Sequence, residues 1–308
     1  MSTPIRLLWM LDGVAQKKVI TVQGWKLSCW ECGEGPVVLL LHGYPDTPTT
    51  WQQAVPALVD AGYRVLVPTL PGYERSSINV TGFSIRAYRA EALAAALARV
   101  VDYCSSEPIH LIGHDWGSSV AFSLARYCPE RLRSLTLMAL PHPHRFADYV
   151  YNDSSQRRAS RYIFLFQLPG IAEALLRSRG FRGIERLWER WSPGWGGSEE
   201  AQQYLAAVKQ AFSDPLVLRA ALSYYRAALW VRDSKSRDLV RGQVAVPTLG
   251  LFGQQDRCIL PDTFRACMDE RDFVNGLRVA AIEGAGHFFH LERPEETHAE
   301  ILAHLAVH

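Results

Sequence analysis

The stretch "LIGHDWGSS" (residues 111–119) decides the fold. A short apolar run closes on Gly-His-Asp-Trp-Gly, and small residues then lead into a helical pattern. A strand that turns this sharply into a helix presents the turn's central residue at its C-terminal end, where open α/β sheets place their sites. Gly113 and Gly117 stand two residues to either side of Asp115. Backbones in such a turn pass too close for β-carbons at those positions. Enzymes built on this turn commonly carry Gly-x-Ser-x-Gly, with serine as nucleophile; here a carboxylate holds the place. Aspartate also N-caps helices well, but a cap requires no flanking glycines. The pattern marks Asp115 as a nucleophile.

Strand-like and helical runs alternate outward from it, which argues for an α/β fold on a mostly parallel central sheet flanked by helices. Residues 24–32, 35–43, 63–72, 109–115, 132–140, 246–253 and 277–284 read as strands. Helices are expected over 50–62, 84–104, 117–127 and 294–307, the second rich in alanine and the last opened by Pro294. Residues 142–243 carry no strand run, and aromatics and arginines stand there in several short helical segments. The expected organisation is a core made of 1–141 and 244–308, with a helical cap, 142–243, inserted after the strand at 132–140.

The 308 residues are 48% hydrophobic and 21% charged, with a net charge of +2. That balance suits a soluble enzyme or binder and argues against a polyanion-binding protein. Arg157, Arg158, Arg161, Arg177, Arg179 and Arg182 read as solvated helix faces, so no nucleic-acid partner is expected. The apolar run in "IRLLWMLD" (5–12) is too short for a signal core, and "VVLLL" (37–41) is the longest aliphatic stretch elsewhere. No membrane partner is expected, and the expected location is cytoplasmic. Six scattered cysteines read as free thiols. Cys29 and Cys32 form C-x-x-C, yet residues three apart in a strand face opposite sides. His142 and His144 form H-x-H without an evident third ligand, so no metal is expected.

A carboxylate nucleophile attacks a carbon bearing a leaving group and yields an alkyl ester, which water must then cleave. That second step needs a general base and a carboxylate to orient it. "LFGQQDRC" (251–258) supplies Asp256 just after one strand, and "EGAGHFFH" (283–290) supplies His287 just after the next. Their order after Asp115 is the nucleophile–acid–histidine order of such folds. Asp262 and His290 stand farther from the strand ends. "LLLHGYPD" (39–46) sets a His-Gly turn after a strand, and the backbone N–H groups of Tyr44 and Trp116 suit an oxyanion hole.

HGYP, GHDWG, GQQD and GAGH, in this order, resemble the α/β-hydrolase superfamily and its epoxide hydrolase branch. The likeness spreads over residues 36–307. HG-x-P and a nucleophilic Asp followed by Trp are shared with haloalkane dehalogenases, so the insert has to separate the two. Epoxide hydrolases of this type carry two cap tyrosines whose hydroxyls bond the epoxide oxygen. In "SRYIFLFQLPG" (160–170) the pattern Tyr-x-x-x-Phe-Gln-x-Pro-Gly resembles the first such segment, which implies that role for Tyr162. In "DPLVLRAALSYYRAALW" (214–230) the pair Tyr-Arg resembles the second and implies Tyr225. Helical spacing favours Tyr225 over Tyr224, because Leu218, Leu222, Tyr225 and Leu229 share one face after an Asp214 cap and Pro215. Haloalkane dehalogenases resemble HG-Asn-P, where this chain has Tyr44. The resemblance thus implies a cofactor-free opening of a small epoxide to a vicinal diol by Asp115, Asp256 and His287. Phe164, Phe166, Trp188 and Trp191 suggest an apolar substrate. The alternatives are a haloalkane dehalogenase with the same nucleophile, or a ligand-binding protein of low turnover.

Overall fold

The computed structural model describes residues 15–22, 24–78, 83–230 and 233–308; the run at 5–12 lies outside them. One eight-stranded sheet runs in the order β1-β2-β4-β3-β5-β6-β7-β8. Its strands are β1 (Gln16–Val22), β2 (Trp25–Cys32), β3 (Val37–Leu41), β4 (Arg64–Pro68), β5 (Ile109–His114), β6 (Leu132–Met138), β7 (Thr248–Gly253) and β8 (Leu277–Ile282). β1 and β2 pair antiparallel at one edge, and every pairing from β4 to β8 is parallel. β1 carries four exposed residues among its seven and its apolar alternation is weak, so the sequence pattern does not mark it as a strand.

Both faces of the central strands are covered, so they read as unbroken apolar runs. All five residues of β3 are buried; Val37, Leu39 and Leu41 join one core cluster, Val38 and Leu40 the other. α1 (Ala54–Asp60) covers the second face through Ala54, Val55 and Leu58. α2 (Ala90–Cys104) and α3 (Trp116–Tyr127) cover the first through Leu93, Leu97, Val120 and Leu124. Truncating such a residue, Leu40 for example, costs about 2–5 kcal/mol. Cys29 and Cys32 fall in opposite clusters, and all six cysteines are free.

Two expected helices are shorter than their sequence patterns. Residues 50–62 divide into a 3-10 turn, Pro48–Trp51, and α1. Residues 84–104 divide into a 3-10 turn, Ile85–Tyr88, and α2, because Arg89 is extended (φ −73°, ψ 154°). That break lets Tyr88 pack on Trp25 and Tyr224 instead of continuing the helix.

Between β6 and β7 the described chain is helical. It forms α4 (Pro143–Asn152), α5 (Ser154–Ala159), α6 (Arg161–Phe166), α7 (Ile171–Trp191), α8 (Glu199–Phe212), α9 (Pro215–Trp230) and α10 (Ser234–Arg241). α7 is two short helical pieces on either side of a non-helical kink at Ser178–Phe181, where Arg179, Gly180 and Phe181 have positive φ. After β7 come α11 (Pro261–Cys267), α12 (Phe289–Glu292) and α13 (Pro294–Leu305). The helices between β6 and β7 share their core with the sheet: Phe166, Trp188 and Tyr225 belong to the same cluster as Leu39 and Leu111.

Candidate active site

Asp115 sits between β5 and α3 with φ 52° and ψ −118°, a conformation costly for any residue with a β-carbon. It occupies the helix N-cap position, yet its side chain makes no capping bond. Its Oδ1 accepts instead from the Tyr44 backbone N–H at 2.7 Å, across the sheet. The two glycines are required by close approach. A Cβ on Gly113 would lie 2.3 Å from Gly117 O, and one on Gly117 2.2 Å from Leu41 O. Ser118 ties the turn to β6, its Oγ accepting from Met138 N at 2.8 Å and donating to Gly113 O at 2.5 Å.

The loops after β7 and β8 bring the two other predicted groups alongside. His287 Nδ1 donates to Asp256 Oδ2 at 2.8 Å, and Asp256 Oδ1 accepts from Cys258 N and Ile259 N at 2.6 and 3.1 Å. His287 Nε2 points at Asp115 Oδ2 from 3.7 Å and has no hydrogen-bond partner among the described residues. Burial disfavours the charged imidazole, but Asp256 and Asp115 outweigh it and raise the pKa of His287 to about 10. The rivals stand elsewhere. Asp262 is exposed and pairs with Arg265, and His290 bonds Thr50 Oγ1 at 2.5 Å.

Asp115, Tyr162 and Tyr225 line one cavity of about 550 Å³, together with Trp116, Phe146, Val150 and Phe164. Tyr225 Oη has no partner among the described residues, whereas Tyr162 Oη lies 3.3 Å from Cys258 Sγ. Burial holds both phenols well above their ordinary pKa, so both remain proton donors. The neighbouring Tyr224 Oη is engaged, donating to Pro71 O at 2.8 Å. Asp214 does cap α9, its Oδ1 accepting from Leu216 N at 2.9 Å. Trp116 opens α3, so its N–H is a first-turn amide without an intrahelical acceptor. Of the four aromatics read as substrate-facing, Phe164 lines the cavity. Phe166 packs on Tyr162 and Tyr225, Trp191 lies against Tyr162 and His287, and Trp188 stacks on Phe288.

Several residues around the site were not read from the sequence. The end of α7 is joined to the loops that carry Asp256 and His287: Trp191 O accepts from His287 N at 3.1 Å and from Arg257 N at 3.3 Å. Ser192 Oγ accepts from Phe288 N at 3.1 Å and donates at 2.6 Å to Glu292, whose carboxylate also accepts from Gly286 N. The His42 ring donates from Nδ1 to Gly43 O and accepts Leu70 N on Nε2, both at 3.1 Å. Beneath His287, the buried side chains of Asp46, His114 and His290 bring three donor atoms within 4.8 Å of one another. Burial pushes Asp46 up to about 7 and His114 down to about 3. Neutral groups of this kind could have been flagged only from their burial, which the sequence does not print. His142 and His144 share no site: His142 packs on Phe122, and His144 faces Asp148.

The sequence model of the alpha/beta hydrolase fold matches residues 36–294. A Bacillus subtilis protein named AB hydrolase superfamily protein YfhM is 32% identical over 96% of this chain and 99% of its own length. Epoxide hydrolase A of Mycobacterium tuberculosis is 29% identical over 95% of this chain and 98% of its own. Epoxide hydrolase 3 of Xenopus tropicalis is 31% identical over 85% of this chain and 69% of its own. The crystal structure of Bacillus megaterium epoxide hydrolase in complex with an inhibitor superposes with a TM-score of 0.80 over 94% of this chain and 100% of that one; at 23% identity this is a likeness of fold. With a family match over most of the chain and relatives of this identity, the chain belongs to the α/β-hydrolase fold family and to the branch of it that holds the epoxide hydrolases.

Proposed function

We propose that the protein is an epoxide hydrolase working through an ester on Asp115. The observation that carries the reading is that one cavity is lined by a carboxylate held by a backbone N–H and by two phenols that burial keeps protonated. Residues 142–243 act as the cap that supplies the phenols to a core of 1–141 and 244–308. An Asp115 oxygen attacks an epoxide carbon, the C–O bond breaks toward oxygen, and Tyr225 or Tyr162 protonates the alkoxide. The aromatic lining favours an apolar substrate.

His287 enters in the second half. In the resting site two carboxylates hold its proton, which is the wrong state for a base. Esterification removes the Asp115 charge, and with it part of what holds that proton. The imidazole can then release it, restoring the tyrosine, and take one from water as the water attacks the ester carbonyl. The Tyr44 and Trp116 amides receive the developing oxyanion, and as it collapses the ester C–O bond breaks, the remaining water proton passes to the diol oxygen and the Asp115 carboxylate returns. Asp256, held by two backbone amides, keeps the ring oriented.

A panel of epoxides and haloalkanes tests the reading, with diol expected from epoxides and no halide from haloalkanes. A single turnover in ¹⁸O-water with enzyme in excess should give mostly unlabelled diol and label in Asp115. His287→Gln should accumulate one substrate-mass adduct on the Asp115 peptide. Fully labelled first-turnover diol, or no adduct, would replace the ester by direct attack of water.

A further inference from the structure

The opening turns of α7 are apolar on two sides. Ala172 and Leu176 are buried, while Ile171 and Leu175, with Leu168 just before the helix, stand between 47% and 55% exposed. Apolar side chains left exposed on the side of a helix opposite its buried face are surface without a partner. Phe164 of α6, 42% exposed, adds an aromatic ring to the same stretch of chain.

Cations accompany these side chains. Arg161 is three residues before Phe164 and so on its side of α6. Arg179 and Arg186 line a cavity together with Leu175 and Leu165. All three arginines are exposed. The glutamates of α7 are engaged elsewhere: Glu173 pairs with Arg226, Glu185 with Lys209 and Arg182, and Glu189 with Arg182. Among the described residues these three arginines therefore have no acidic partner.

We propose that this face of α6 and α7 docks on an anionic lipid surface. Exposed apolar side chains and unpaired arginines side by side on one stretch of chain match the boundary between acyl chains and anionic headgroups. A second copy fits less well, because a two-fold contact would set the arginines against one another. Nucleic acid would engage the arginines and leave Leu168, Ile171 and Leu175 in water. No helix of the described residues is long and apolar enough to cross a membrane, so the contact is peripheral. The arginines that read as plain solvated faces in the sequence acquire a role from the leucines and isoleucine beside them. Tyr162 lines both this cavity and the one holding Asp115, so docking would bring a lipid-dissolved substrate near the site. The docking itself does not depend on the proposed activity.

Flotation of the full chain with vesicles tests it. One set is phosphatidylcholine alone; in the other roughly one-third of the lipid is phosphatidylglycerol. Wild type should float with the anionic vesicles only. Arg161→Gln/Arg179→Gln/Arg186→Gln should partition about a hundredfold more weakly, each arginine being worth roughly fivefold at such a surface. Ile171→Ser/Leu175→Ser should lose binding with its charge intact. Lys26→Gln/Arg99→Gln/Lys235→Gln, the same charge change at exposed positions elsewhere, should float like wild type. Unchanged circular dichroism shows that each variant is folded. The proposal falls if wild type does not float with anionic vesicles or if the control triple loses as much as the first triple. It falls equally if sedimentation gives a dimer that Ile171→Ser/Leu175→Ser dissolves.

Discussion

Tyr224 and Tyr225 are neighbours in the chain and differ in whether the hydroxyl is already engaged. Tyr224 Oη is bound to Pro71 O; Tyr225, a cavity-lining residue, keeps its buried Oη without a partner among the described residues. Tyr162 lies between these cases, because its partner is a thiol, a weak hydrogen-bonding group that gives up the phenol easily. On the proposed mechanism, Tyr225→Phe and Tyr162→Phe should each slow ester formation ~30- to 1,000-fold, the loss of roughly 2–4 kcal/mol of transition-state stabilisation. Tyr224→Phe should leave that step nearly unchanged and cost about 1 kcal/mol of stability through its lost hydrogen bond. Stopped-flow measurement of ester formation, beside thermal melts, separates the three. A larger kinetic loss at Tyr224 than at Tyr225 would reverse the assignment.

At the scale of elements, the loops that carry Asp256 and His287 are tied to the end of α7 as well as to β7 and β8. Trp191 and Ser192 receive the backbone N–H groups of Arg257, His287 and Phe288, and Glu292 of α12 joins Ser192 to Gly286. Glu292→Ala would leave the Gly286 N–H and the Ser192 hydroxyl without their acceptor in a largely buried place. We expect a loss of about 2–3 kcal/mol, together with a fall in the rate of ester hydrolysis greater than that of ester formation, because the loop positions His287. A melting temperature equal to wild type, or equal losses in both steps, would deny Glu292 this positioning role. The link joins residues a hundred apart and could not be read from spacing. The helices and strands it connects could, because β3, β5 and β7 are apolar runs covered on both faces.

For the whole molecule, burial of imidazoles sets the response to acid. Burial is the leading cause that pushes His114 down to about 3 and His42, His110, His142 and His304 down to about 4. A histidine with a depressed folded pKa contributes stability that is complete above its unfolded value, ~6.5, and is lost as pH falls through the folded one. Asp46 and His287 act in the opposite sense. Asp46, raised to about 7, gains toward low pH, and His287, raised to about 10, loses its contribution as pH rises from ~6.5 to ~10. His290 and His298 are depressed by burial as well and Glu292 is raised, so seven depressed imidazoles against two raised carboxyls predict stability falling from pH ~6.5 to ~4, with proton uptake on unfolding. Calorimetric melts across that range should show a steadily falling melting temperature; a flat profile would contradict the burial assigned to these histidines.

From the chain alone came the fold class, the strand-turn-helix around Asp115, the helical stretch between β6 and β7, and the helical face that Tyr225 shares with Leu218 and Leu222. Each rests on local chemistry: glycine where backbones collide, period-two or uninterrupted apolar strands, a 3.6-residue face for α9. Only the tertiary structure decided where α2 begins, since the break at Arg89 answers to Tyr88 packing on Tyr224, more than a hundred residues away. It also decided that Asp115 is bonded to Tyr44 N and does not cap its own helix, that Cys258 meets Tyr162, and that Asp46 lies buried among histidines. The physical reason is common to all of these. Hydrogen bonding and burial between distant segments depend on which surfaces the closed sheet and the packed helices bring face to face, and no pattern of neighbours along the chain encodes that distance.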